Sequence, residues 1–299
     1  MSVMKRPDRS HRINLFLAGA VTCLVVGGIW TALRLGGGAP PERLAYRSVD
    51  GADLTLDIYR PVDWRPSDHR SCVIWFFGGG WEVGAPHQYR KQSLRLARSG
   101  LVCITPDYRV RSRHGRETTP FDSLEDARTA IQWVRARAGE LGIDPGRIAA
   151  AGGSSGGHLA AACASVPAVD DGNPPTSSVP DALILYNPVV DFDIPFVVKR
   201  TTTGQRERLA AIAPLHQLNA PLPPTVVFHG TADAIIPIRT SEAFVQRARE
   251  LGSPDVALIS YPGKGHEFHL AGSVARREAK ESIKQIEGFL GRLGWVEKD

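Results

Sequence analysis

Ser154 stands in the stretch Arg147-Ile-Ala-Ala-Ala-Gly-Gly-Ser-Ser-Gly-Gly-His158, where an apolar run that reads as a β-strand meets an alanine-rich run that reads as a helix. Gly152 and Gly156 flank it as Gly-x-Ser-x-Gly, the spacing of a serine nucleophile on a tight strand–turn–helix junction. The chemistry explains the spacing. A hydroxyl held out on a sharp turn needs small neighbours, because strand and helix backbones pass close by. The free amides at the helix start then face any negative charge that develops on a substrate. The same stretch admits a second frame, Gly153 to Gly157, with Ser155 as nucleophile. A strand that ends before Gly152 and a helix that starts directly after the turn favour Ser154.

A serine hydroxyl is a poor nucleophile until a base removes its proton. His229-Gly-Thr-Ala-Asp233 follows one apolar run, and Tyr261-Pro-Gly-Lys-Gly-His266-Glu-Phe268 follows the last one. In this order, Ser154 then Asp233 then His266, the imidazole would take the serine proton and return it to a leaving alcohol. The carboxylate would fix the tautomer and stabilise the imidazolium. His158, His229 and His269 compete for the base, with His269 the fallback; Asp191 and Glu267 compete for the acid. The run Phe76-Phe77-Gly78-Gly79-Gly80-Trp81 can bring backbone amides close to an oxyanion, where losing one donor costs roughly 3–4 kcal/mol.

The segment Gly152-Gly-Ser-Ser-Gly-Gly-His-Leu-Ala160 resembles the nucleophile elbow of the hormone-sensitive-lipase-like and acetyl-esterase-like α/β-hydrolases, usually Gly-Asp-Ser-Ala-Gly-Gly, then Asn or His, then Leu-Ala. The resemblance runs from about Leu54 to the C-terminus. It includes Leu54-Thr-Leu-Asp-Ile-Tyr-Arg-Pro61, Asp107-Tyr108-Arg109, Asp126-Ala127 with Trp133, and Gly142-Ile-Asp-Pro-Gly-Arg147. It implies Ser154, Asp233 and His266 as the triad and the amides of Gly78, Gly79 and Ser155 as the oxyanion hole. Phe77 replaces the histidine of the family's His-Gly-Gly-Gly-Trp loop. Because the donors are backbone atoms, the hole is expected to survive, with Phe77 packing the loop.

These residues must be positioned by a scaffold. Eight β-rich runs are legible: Arg43–Val49, Leu54–Tyr59, Cys72–Phe77, Leu101–Thr105, Arg147–Ala151, Ala182–Tyr186, Thr225–His229 and Val256–Tyr261. The first two flank Asp50-Gly51, a hairpin turn signal. The continuous apolar runs suit strands buried on both faces. Helices are expected over Ser123–Ala138, with Asp122 as N-cap and Glu125 completing a capping box, and over Ser155–Ser165, Thr240–Leu251 and Ser273–Leu293. Asp191–Leu218 fits no clear element and could form a small lid. The fold expected is an eight-stranded, mostly parallel α/β-hydrolase sheet with helices on both faces, spanning residues 42–299.

Hydrophobic residues make up 42% and charged residues 22% of the 299, ordinary values for a globular enzyme. The net charge of +5 is concentrated at the start, where Lys5, Arg6, Arg9 and Arg12 face only Asp8. No basic stripe interleaved with aromatics marks a nucleic-acid binder. Cys23, Cys72, Cys103 and Cys163 form no CxxC pair, which argues against zinc; Cys72 and Cys103, on neighbouring strands, leave a disulfide open.

Residues 1–12 read as a basic cytoplasmic segment and 34–41 as a linker. Ile13–Leu33 carries no charge and as a helix would span about 31 Å, a bilayer's hydrocarbon thickness. The positive-inside bias makes it a single-pass signal anchor with the catalytic domain exported; a cleaved signal peptide, giving a secreted or periplasmic enzyme, and a buried helix are the alternatives.

The function expected is hydrolysis of carboxylic esters through an acyl-enzyme, with no cofactor and no metal. The substrate expected is a small-molecule or saccharide ester with a short, acetyl-type acyl group, because the linker runs straight into the first strand with no helical cap. An amide-cleaving serine hydrolase and a catalytically silent binding protein are the alternative classes.

Overall fold

The computed structural model describes residues 40–167, 176–270 and 276–296. The expected anchor at 13–33 therefore lies outside the described residues. Among those described, no helix is long and apolar enough to cross a membrane. The chain divides at Pro41, and the sheet and the residues of the site all belong to the unit Glu42–Asp299.

Eight strands form one sheet: β1 Glu42–Val49, β2 Ala52–Tyr59, β3 Arg70–Phe76, β4 Val102–Pro106, β5 Ile143–Gly153, β6 Ala182–Tyr186, β7 Thr225–Gly230 and β8 Val256–Tyr261. Their spatial order is β1-β2-β4-β3-β5-β6-β7-β8. Only the β1–β2 and β2–β4 pairings are antiparallel; the rest are parallel. Asp50 and Gly51 both take positive φ, 50° and 79°, as the hairpin turn requires. From β3 the chain first builds outward to β4, then returns to place β5 on the other side. That reversal opens a crevice at the carboxyl ends of β3 and β5, where ligands bind in open α/β sheets.

The five longer helices of the described residues are α1 Arg90–Arg98, α2 Pro120–Ala136, α3 Ser155–Ser165, α4 Arg239–Glu250 and α5 Arg276–Arg292. Two apolar clusters, one on each face of the sheet, form the core: α2 and α3 cover one, α1 and α5 the other. Helix α2 starts three residues before the expected position. Its N-cap is Thr119, whose hydroxyl accepts from the Asp122 amide, and Asp122, read from sequence as the cap, is instead the third helical residue. Pro120 at the first helical position pre-sets the dihedral there and explains the earlier start. Leu124, Ala127, Ala130, Ile131 and Val134 are buried on one face, as their spacing predicts.

Helix α1 was not legible. It has no side-chain cap and five Arg, Lys or Gln residues among nine. The 191–218 segment folds as three short helices, Pro195–Val198, Thr203–Leu209 and Pro214–Gln217, with a 3₁₀ turn between the last two. Cys72 and Cys103 are both free. They sit in the two opposite core clusters, so successive side chains of the pleat carry them to opposite faces and no disulfide can join them.

Candidate active site

From Ile148 to Cys163 every residue is buried except Ser154. Strand β5 ends at Gly153 and α3 begins at Ser155, so Ser154 is the whole turn, with φ 56° and ψ −122°. The Ser154 amide donates to the Tyr186 carbonyl at 3.0 Å, and its carbonyl accepts from His158 and Val189. A Cβ on Gly156 would lie 2.1 Å from the Phe76 carbonyl, so only glycine lets α3 approach β3 this closely. Ser155 is fully buried, and its hydroxyl accepts from the Gly80 amide at 2.9 Å. Exposure and backbone strain both set Ser154 apart from Ser155 as the accessible hydroxyl. Positive φ at a non-glycine residue costs of order 1–3 kcal/mol and persists only where surrounding structure enforces it. Trp81, at φ 60°, and Asn187, at φ 33°, show the same strain on the loops beside Ser154.

Asp233 and His266 are brought together directly: His266 Nδ1 lies 2.7 Å from Asp233 Oδ2. The other oxygen, Oδ1, accepts from the Ile235 and Ile236 amides, each at 2.9 Å. His229 Nε2 stands 3.4 Å from Oδ2. Burial would raise the Asp233 carboxyl. Hydrogen bonds from His229 and His266, the charge of His266 and the Ile236 amide outweigh it and hold the group well below the usual carboxylate range. The carboxylate therefore stays charged, and Nδ1–H of His266 donating to it leaves the ring's lone pair on Nε2. Ser154 Oγ makes no hydrogen bond among the described residues; such bonds are often long until substrate closes the site.

The rival residues are placed elsewhere. His229 Nδ1 meets Ser241 Oγ at 2.8 Å and its Nε2 meets the Ile236 carbonyl at 2.9 Å, so it braces the acid loop. His158 Nε2 is 2.9 Å from the Ile212 carbonyl, and burial lowers this imidazole to about 4. His269 stacks on Tyr186 with ring centroids 4.4 Å apart, and its Nε2 is 3.2 Å from the Tyr89 hydroxyl. Burial, with the nearby His266 charge, lowers it to about 3, so it is neutral packing beneath Gly153. Asp191 faces His216 at 3.5 Å, and Glu267 is exposed.

The oxyanion loop follows β3. Gly79 has φ 146°, and a Cβ there would lie 2.1 Å from the Val83 carbonyl. A Cβ on Gly78 would lie 3.4 Å from that of Ser154, which sets the loop against the nucleophile. The Gly78 amide differs from expectation: it donates to Gln88 Oε1 at 2.6 Å. Among the described residues the Gly79 and Ser155 amides have no partner, and these two remain to receive an oxyanion. Phe77 is buried and stacked on Tyr108, centroids 4.0 Å apart, packing the loop as its substitution for histidine suggested.

Sequence reasoning missed Asn187 and Gln88. Asn187 is fully buried after β6, and its Nδ2 approaches His266 Nδ1 at 3.2 Å and Nε2 at 3.4 Å. With Nδ1–H engaged by Asp233, Nε2 is the ring nitrogen that can accept from this amide. Neither residue sits in a motif; only their spatial neighbours reveal them. Among the described residues no group of three or more His, Cys, Asp or Glu could hold a metal ion.

A strained serine at the strand–helix turn, a carboxylate–imidazole pair after the last two strands and unpaired amides after β3 define an α/β-hydrolase. Residues 56–248 match the family model described as BD-FAE, and the chain belongs to that family. Esterase LipC of Mycobacterium tuberculosis is 34% identical over 74% of this chain and 58% of its own length; Esterase LipQ of the same organism is 29% identical over 84% and 64%. The chain thus spans about three-fifths of these curated relatives. Thermogutta terrifontis esterase 2 in its propionate-bound structure is 37% identical, covers 87% of this chain and 97% of its own, and superposes with a TM-score of 0.80. The same enzyme is known phosphorylated by paraoxon, with a TM-score of 0.79.

Proposed function

We propose that this protein hydrolyses carboxylic esters through an acyl-enzyme on Ser154. The 2.7 Å Asp233–His266 bond carries the reading. It occupies Nδ1 and leaves Nε2, which Asn187 Nδ2 approaches at 3.4 Å, to act as the base, while Ser154 is the single accessible residue of its turn. Ser154 Oγ attacks the ester carbonyl as its proton passes to His266 Nε2. The carbonyl oxygen becomes an oxyanion facing the Gly79 and Ser155 amides. The imidazolium then protonates the departing alcohol, and water repeats the sequence on the acyl group.

Short acyl groups are the substrates we propose. The similar Thermogutta enzyme holds propionate, and the half-buried ring of Phe196, from the short helices between β6 and β7, comes within 3.3 Å of where a Cβ on Gly80 would stand. We further propose that Ile13–Leu33 addresses the domain to the outer side of the cytoplasmic membrane, as an anchor or a cleaved signal. Its uncharged length and the basic residues before it support this.

The test is a p-nitrophenyl ester series from acetate to decanoate, run with Ser154→Ala and Ser155→Ala. Ser154→Ala is expected to lose about 10⁶-fold in kcat and all labelling by a fluorophosphonate, while Ser155→Ala keeps the label. Turnover of decanoate equal to that of acetate would overturn the chain-length assignment. Retained labelling in Ser154→Ala would overturn the nucleophile.

A further inference from the structure

We propose that Gln88 is a positioning residue of the oxyanion hole, holding the peptide that carries the Gly79 amide in its working orientation. This deepens the esterase reading and rests on it. Three successive peptide groups make up the loop. The first, Phe77–Gly78, is clamped at both ends: its carbonyl accepts from the Tyr108 hydroxyl at 2.6 Å, and its N–H donates to Gln88 Oε1 at 2.6 Å. The third, Gly79–Gly80, is also clamped at both ends. Its carbonyl accepts from the Glu82 and Val83 amides at 3.2 and 3.1 Å, and its N–H donates to Ser155 Oγ at 2.9 Å. The second, Gly78–Gly79, carries the amide with no partner among the described residues.

Each peptide group is planar and turns only about the two dihedrals at each α-carbon. Glycine leaves those dihedrals nearly free. Between two fixed planes the middle one is nevertheless confined, and its N–H points where the flanking clamps send it. Gln88 supplies one of the four clamp points from outside the loop, at the 3₁₀ turn Pro86–Tyr89 that leads into α1. Oxyanion donors work only when they are pre-oriented toward the transition-state oxygen. A misplacement of about 1 Å can cost on the order of 100-fold in rate.

The same geometry sets an opposite possibility in the test. If the Gly78 amide were itself an oxyanion donor, Gln88 would compete with the substrate for it, and removing Gln88 would speed the reaction. Gln88→Met keeps the side-chain length and deletes the acceptor; Gln88→Asn withdraws the acceptor by one methylene. Each is compared with the wild-type protein for kcat and KM on p-nitrophenyl acetate, and for inhibition by an aryl trifluoromethyl ketone. Ser154 Oγ adds to the carbonyl carbon of that ketone while its proton moves to His266, leaving a tetrahedral oxyanion in the hole.

The expected result is a fall in kcat of about 10- to 100-fold with KM within about two-fold, and a loss of ketone affinity by the same factor. A merely structural role would lower the active fraction and leave ketone affinity per active site unchanged. Unchanged or raised kcat in a folded variant, judged by its thermal midpoint, would overturn the proposal. Should Gln88→Met not fold, Gln88→Asn is read in its place. A wild-type protein without ester turnover would instead defeat the functional reading on which this one stands.

Discussion

The two sides of the site are held in different ways. On the β7–β8 side the acid is fixed by its own neighbourhood in sequence. Asp233 takes the amides two and three residues ahead and lies beside His229 four residues behind; only His266 is distant. On the β3 side the oxyanion loop takes one local clamp, the Glu82 and Val83 amides on the Gly79 carbonyl, and three from groups 10, 31 and 75 residues from their partners: Gln88, Tyr108 and Ser155. A locally fixed site tolerates changes elsewhere in the fold. A loop fixed from afar depends on how strand β4, helix α3 and the turn before α1 are packed.

Four measurements would sharpen or break that contrast. The largest effect is expected at the acid. Asp233→Asn should lower kcat about 10⁴-fold with the fold intact, since the amide favours the wrong imidazole tautomer, while Asp191→Asn, whose carboxylate meets His216 and the Asp193 amide and not His266, should stay near wild type. Kinetics that rank them the other way would move the acid to Asp191. Next is Gly79→Ala, whose methyl meets the Val83 carbonyl. A loss of about 10²- to 10³-fold in kcat is expected, and a near-normal enzyme would show that this amide is not a donor. Asn187→Ala should cost about 10-fold through a looser His266 ring, visible as a broadened imidazole resonance in proton NMR; a sharp, unshifted resonance would refute the bracing role.

The smallest effect is in stability. Burial keeps His158 and His269 neutral in the folded domain, down to about 4 and about 3. The unfolded chain takes up those protons at about 6.5. Folded-state values below the unfolded ones mean that stability falls as pH drops from about 6.5 toward 4, by up to two protons' worth of slope. Urea midpoints across this range should show it. His269→Gln should remove one proton from the slope, and an unaltered slope would contradict the assignment.

What the sequence made legible follows the same divide. Ala182–Tyr186, Val256–Tyr261 and Ser155–Ser165 match the observed elements to the residue, because continuous apolar runs and an elbow followed by small residues admit one pattern. Ser154, Asp233 and His266 could be singled out because each sits in a short motif after a strand, and the fold brings Asp233 and His266 into contact. Helix α1 was hidden because arginines crowd it and no side chain caps it. The α2 start was misplaced because Thr119-Pro120-Phe-Asp122 offers two capping candidates, and the proline decides between them. Gln88 and Asn187 were hidden because their value lies in partners far along the chain.

The placement of the thiols has a practical consequence. Cys72, Cys103 and Cys163 are all buried, and burial raises every one of them, Cys163 to about 12. A native domain therefore offers a maleimide nothing among these three sulfurs, whereas an opened one offers reporters from both sides of the sheet. Alkylation followed by mass spectrometry would count opened molecules directly, and which cysteine is modified first would say which face of the core gives way.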